Sequence, residues 1–146
     1  MATFTAFEAF TQDALSKVHD IGNDDLRYLL TNDAPDAAAD AARADLTSEL
    51  AAGGGYLADG VVLENTTLSN TAGVTAVLTD DKTLTAAGGS IGPFRYVVLY
   101  NNTTASDRLI AFWDRGASIT LADGDSVVFD ADATNGLFRV GVGTIA

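Results

Sequence analysis

Along the chain the spacing of apolar positions changes character twice. From Phe4 to Val18 the apolar residues Phe4, Phe7, Phe10, Ala14, Leu15 and Val18 recur at steps of three and four, the repeat of a helix with one apolar stripe. Thr3 or Thr5 is placed to cap its start, and Gly22 in the DIGN stretch to end it. The phenylalanines fall on one side of such a helix, so the stripe needs cover, from the body of the chain or from a neighbouring subunit. Leu26–Asn32, LRYLLTN, reads as a short strand. The alanine-rich stretch after it is ambiguous on physical grounds. Propensity makes Ala37–Leu50 a helix, with Asp36 after Pro35 as its cap; the shortage of large side chains leaves it little to bury and favours an extended loop. Gly53, Gly54 and Gly55 stop any helix there, with Tyr56 the large anchor of that stretch.

From Gly60 onward the pattern becomes one of short β segments. The candidates are Gly60–Leu63, Val74–Leu78, Thr83–Ala86, Phe94–Tyr100, Leu109–Trp113, Ser118–Leu121, Ser126–Phe129 and Leu137–Val142, spaced as in a sandwich or barrel. They are separated by GGS, GP, NNTTASD, DRG, ADGD and DATNG, where glycine, asparagine and aspartate supply turn conformations. In FRYVVLY, alternation places Phe94, Tyr96, Val98 and Tyr100 on one face and Arg95, Val97 and Leu99 on the other. Both faces are mainly apolar, the mark of a strand covered on each side. LIAFWD repeats the pattern, with Leu109, Ala111 and Trp113 opposite Ile110, Phe112 and Asp114. A hairpin across NNTTASD is expected to bring Trp113 near the aromatic face, as a core or an interface anchor.

The fold class expected is therefore mainly β: an antiparallel β-sandwich or jelly-roll-like body with an N-terminal amphipathic helix. A chain of 146 residues supports one sizeable core. A single domain follows, with a helical arm over 1–21, a mixed connecting region over 22–60 and the β-rich body over 61–146.

Composition narrows the function more than the fold. No apolar run is long enough to span a bilayer, so no membrane partner is expected. The first residues carry no basic segment followed by an apolar run and a small-residue cleavage pattern, which predicts synthesis and retention in a cytoplasm. Twenty acidic against eight basic residues give a net charge of −12, which repels phosphate backbones and argues against direct nucleic-acid binding. That acidity serves solubility or faces a basic partner surface.

Reactive chemistry finds little to work with. There is no cysteine and a single histidine, so thiolate chemistry is excluded and an imidazole-based metal site cannot be filled. His19 at the end of the proposed helix suits the helix dipole better than a nucleophile–base pair. Asp123, Asp125, Asp130 and Asp132, like Asp24 and Asp25, are close in sequence but lack the ligand spacing of a calcium loop. AAGGGYLADG and GGSIGP lack the lysine and glycine spacing of phosphate-binding loops. No catalytic residue, cofactor or metal is expected.

Three segments in order, ADLTSELAAGGGYLADG, GGSIGPFRYVVLYNNTTASDRLIAFWDRG and SITLADGDSVVFDADATNGLFRV, together with the N-terminal FEAFTQDALSKVHDI, make the chain similar to small virion structural proteins of tailed bacteriophages, the capsid decoration or cement proteins. The resemblance spans most of the chain and lies in turns and strands rather than reactive residues. It implies a non-enzymatic β-rich protein on the outer surface of a capsid, made in the host cytoplasm, that binds the major capsid protein and stabilises its lattice. With the apolar N-terminal stripe it leads to a homo-oligomer, a trimer favoured, whose interface residues are Phe4, Phe7, Phe10, Val18 and Trp113. The alternatives are a tail fibre or baseplate adaptor, and a carbohydrate-binding domain with Trp113, Tyr96 and Tyr100 as stacking platforms.

Overall fold

The computed structural model of the chain describes residues 2–143. It is mainly β, with antiparallel pairing throughout. Ten strands form: β1 Thr3–Ala6, β2 Leu26–Thr31, β3 Val61–Val62, β4 Thr67–Thr71, β5 Val74–Leu78, β6 Lys82–Thr85, β7 Ile91–Asn101, β8 Arg108–Leu121, β9 Ser126–Phe129 and β10 Phe138–Gly141. One helix, α1, spans Glu8–Leu15. A five-stranded sheet runs β1-β8-β7-β2-β3, a three-stranded sheet β10-β5-β4, and β6 pairs with β9.

The long strands β7 and β8 form the centre, and both faces of β7 are buried. On one face Val97 and Leu99 join Tyr28 and Leu30 of β2 and Ile110 and Ala111 of β8. Val77 of β5, Leu84 of β6 and Phe138 of β10 close over this face, with Val127 and Phe129 of β9 at its margin. On the other, Tyr96, Val98 and Tyr100 join Leu29, Leu109, Phe112 and Phe7. Ala37 and Leu46 lie against that second cluster.

The cover of the second face is the alanine-rich segment, as a loop. Its one regular element is a single 3-10 turn at Arg43–Asp45, which settles the ambiguity of Ala37–Leu50 against the helix. Main-chain bonds lash it across the sheet: Glu8 N–H to Ala37 O (2.9 Å), Leu109 N–H to Ala41 O (3.0 Å) and Leu50 N–H to Leu30 O (2.8 Å). A helix lying on its own hydrogen bonds leaves none for the sheet, whereas an extended chain of small residues bonds to it and lays Ala37 and Leu46 against the second cluster. Arg43 pins it, with Nη2 donating to Glu49 Oε1 at 2.6 Å and to Ala58 O at 2.6 Å, and its guanidinium stacked 5.3 Å from the Tyr100 ring centre.

Two sequence expectations are corrected. The N-terminal helix over Phe4–Val18 is shorter, because Phe4 belongs to β1, paired with Trp113 of β8. Ala14 and Leu15, expected in the apolar stripe, are exposed, Leu15 at 90%. Phe7 and Phe10 turn into the two clusters on opposite faces of the sheet. The second correction concerns alternation in the central hairpin. The register shifts between Phe94 and Tyr96, where β8 runs five residues against two of β7, and again between Leu99 and Tyr100, where one extra residue of β8 forms a bulge that reverses the side to which β8 points. Phe94 therefore packs with Val97 and Leu99, and Ile110 and Ala111 point to one face in succession.

These assignments separate by mutation. Phe7, fully buried, should cost about 3–5 kcal/mol when replaced by alanine. Leu15→Ala, on the same stripe in the helical reading, should change stability by less than about 0.5 kcal/mol. Urea unfolding of both variants checks this; comparable losses would restore the longer helix.

Candidate functional site

A concavity of about 470 Å³ opens where the sheet face bearing Val97 meets β9 and the segment after it. Such a volume lies within the roughly 300–1,000 Å³ typical of small-molecule sites. Pairing in the sheet dictates its floor: Tyr28 lies opposite Leu99, and Val97 opposite Trp113, so the two aromatic rings share a face. Tyr28 meets Trp113 edge-on at 6.1 Å and Phe129 at 5.1 Å. Arg115, Asp130 and Asp132 supply charge around the opening.

Its lip is held by local chemistry. Asp132 Oδ1 accepts from the N–H groups of Thr134 (2.8 Å) and Asn135 (2.7 Å), and these bonds hold its carboxyl below the usual aspartate range. Asp81 Oδ1 accepts from Ala131 N–H at 2.8 Å. Gly136 has φ +70°, and a Cβ there would lie 2.1 Å from Val77 O, so only glycine closes the turn into β10. Tyr28 is 3% exposed, and burial, ahead of the charge of Asp81, pushes its phenol well above the ordinary value.

The five residues expected at an interface are distributed over the molecule. Phe4 is 42% exposed; its ring packs 5.5 Å from Trp113 and stacks 6.1 Å from Phe138. Trp113 is half-buried and lines the groove. Phe10 lies 5.7 Å from Phe138, inside the first cluster. Phe7 sits across the sheet against Phe112 at 5.3 Å, and Val18 lies half-buried beyond α1. Phe4 thus touches Trp113 directly and Phe10 by way of Phe138, while Phe7 and Val18 stand apart. The stacking platform of Trp113 with Tyr96 and Tyr100 does not form. Trp113 pairs with Val97, which puts it on the face opposite those tyrosines, and both tyrosines are buried.

Sequence reading missed Tyr28 as the partner of Trp113 and Phe129 as a further ring of the same groove. Their only signal was membership of apolar runs, and the faces they share are set by a register that no single run specifies. The grouped aspartates act separately: Asp123 accepts from Gly88 N–H, Asp125 from Ala122 N–H and Asp132 within its own turn. Among the described residues no three His, Asp or Glu side chains gather as a metal-holding group.

A second polar cluster lies behind α1. Arg108 Nε donates to Asp13 Oδ2 at 2.7 Å, which ties the helix to β8. Buried Asn101 donates to Asp24 Oδ2 and to His19 Nδ1, the latter at 3.0 Å. With Nδ1 accepting, the ring proton resides on Nε2, which is buried without a partner beside the Phe10 ring at 5.3 Å. A second proton would turn Nδ1 into a donor facing the Asn101 amide. Burial lowers the His19 pKa below 6.5, outweighing the raising effects of Asp13 and Asp24; Arg108 adds to the lowering.

The unfolded chain therefore binds a proton at His19 more readily than the folded one. The contribution of neutral His19 is complete above its unfolded pKa near 6.5. It declines as pH falls below that value, and the decline ends once the lower folded pKa is passed. Urea midpoints measured from pH 7.5 down to pH 5 should fall for the wild type and fall less for His19→Gln. Equal slopes would show that the ring is not the titrating group.

No family model matches the sequence, and comparison with curated proteins and with solved structures finds no match.

Proposed function

We propose that the chain is a non-enzymatic virion structural protein of a tailed phage, a capsid decoration protein that binds the major capsid protein lattice from its outer surface. The ordered segments that resemble such proteins support the reading. The observation that carries it is the edge formed by β1. This strand is outermost in the five-stranded sheet, so its outward N–H and C=O groups have no sheet neighbour. Phe4 stands on it with 42% of its surface exposed and with Trp113 and Phe138 behind it. An exposed aromatic on a rigid aromatic bed beside an unpaired strand edge is an anchor for another protein.

On this reading the three sheets make a sandwich-like body that is stiff enough to clamp neighbouring capsid subunits. Each contact gains about 25 cal/mol per Å² of apolar surface buried. A homo-oligomer, a trimer in the favoured form, engages several lattice points together and holds more strongly than any one contact. The net charge of −12 suits docking to a basic patch on the shell and predicts weaker attachment at high salt.

Purified protein mixed with undecorated capsids should co-sediment. Phe4→Glu should weaken capsid binding at least about tenfold, the loss of roughly 1.4 kcal/mol per contact, in a variant whose circular dichroism shows the fold retained. Wild-type protein left in the supernatant overturns the proposal, and labelling of virions at the tail tip would place the chain there instead.

A further inference from the structure

We infer that the Trp113 groove is a binding site for a neutral saccharide. The inference goes beyond docking to a shell, since it concerns the isolated chain and a ligand of different chemistry.

Two observations point to a ligand independently. The first is the groove itself, about 470 Å³, lined by the half-buried rings of Trp113 and Phe129, each of which touches the buried Tyr28 ring between them. Aromatic faces of this kind stack against the C–H face of a sugar ring. The second is unspent hydrogen-bonding capacity inside it. Tyr28 is 97% removed from solvent by its 3% exposure, yet its hydroxyl and the Trp113 indole N–H have no partner among the described residues. Neither is a fully enclosed orphan atom, so both reach solvent, and both residues line this opening. Water satisfies both atoms while the groove is empty, and both remain available to hydrogen-bond a ligand that displaces it.

Charge selects the ligand class. Arg115 on the rim disfavours a cation, and Asp130 and Asp132 disfavour an anion. A neutral ligand with an apolar ring face and several hydroxyls uses every group: the guanidinium and the indole N–H donate to its oxygens, and the carboxylates accept from its hydroxyls. Tyr28 stays a neutral phenol and can do either. The lip is fixed by the Asp132 turn and by Gly136, so the site is formed before the ligand arrives, which lowers the ordering cost of binding.

Trp113 is the only tryptophan, so its fluorescence reports the groove directly. The full chain is titrated with methyl glycosides of glucose, galactose, mannose and N-acetylglucosamine to roughly 50 mM, far above a Kd of about 1 mM. A saturable change is expected with at least one. Tyr28→Phe removes a hydroxyl with no partner among the described residues, and Asp130→Asn keeps the shape of the rim. Each should raise the Kd at least about tenfold while leaving the melting temperature unchanged. No saturable response to any glycoside overturns the assignment, as does a response that both variants retain. A response to lysine- and arginine-containing tripeptides with silence toward the glycosides would also overturn it and give the groove to a cationic side chain.

Discussion

Burial of both faces of β7 is the constraint from which the rest of the structure follows. Its eleven residues pair with β2 on one side and with the fourteen-residue β8 on the other, so every main-chain group in its middle is held by a neighbouring strand. A strand in that position is apolar above and below, and each face requires its own cover. The first receives side chains from the two small sheets. The second receives Phe7 and the 33–50 loop, which brings few large side chains and is held by main-chain bonds and by Arg43. The Arg43 side chain is only 19% exposed, and Glu49, Asp59, Asp107 and the Ala58 carbonyl surround its guanidinium. A charge so withdrawn from water survives because its donors are paired. Beneath it, burial pushes the Tyr100 phenol up to about 12, and its hydroxyl donates to Asp59 O at 2.8 Å.

The same constraint makes the functional surfaces. Bulges in β7 and β8 let Ile110 and Ala111 both enter the first core and set Trp113 over Val97 at its margin, where the two layers diverge into the groove. β1 pairs only with β8 and carries Phe4 out to the sheet's rim. The candidate saccharide site and the candidate docking edge are thus the two places where the aromatic core reaches the surface. Asp114, next to Trp113, is tied to Arg95 by two bonds of 2.7 and 2.9 Å. With the Gly116 N–H these bring its carboxyl down to about 2.

Local pattern disclosed much of this and could not disclose the rest, for identifiable reasons. Val74–Leu78 and Ser126–Phe129 form strands with the expected ends because turn residues bracket them. β4, TLSNT, escaped notice because it is a polar, wholly exposed edge strand whose only support is its hairpin with β5. Leu109–Trp113 and Ser118–Leu121 are one strand, since DRG does not turn the chain there. The apolar residues of the first eighteen positions fit a helical repeat, yet pairing with β8 draws Phe4 into a strand; tertiary partners outweigh a weak local preference. For the groove, Trp113 was legible as an anchor. Its association with Tyr28 and Phe129 was not, because cross-strand register and two bulges decide which rings share a face.

The central claim is that one chain covers both faces of β7, with no neighbouring subunit needed to complete the core. Hydrogen exchange at the amides of Val97, Val98 and Leu99, followed over a wide range of protein concentration, tests it most directly. Exchange of these amides should proceed only through global unfolding, at rates independent of concentration even where light scattering finds a single chain. Protection that weakens on dilution would contradict the account, and the second face of β7 would then belong to an interface between copies.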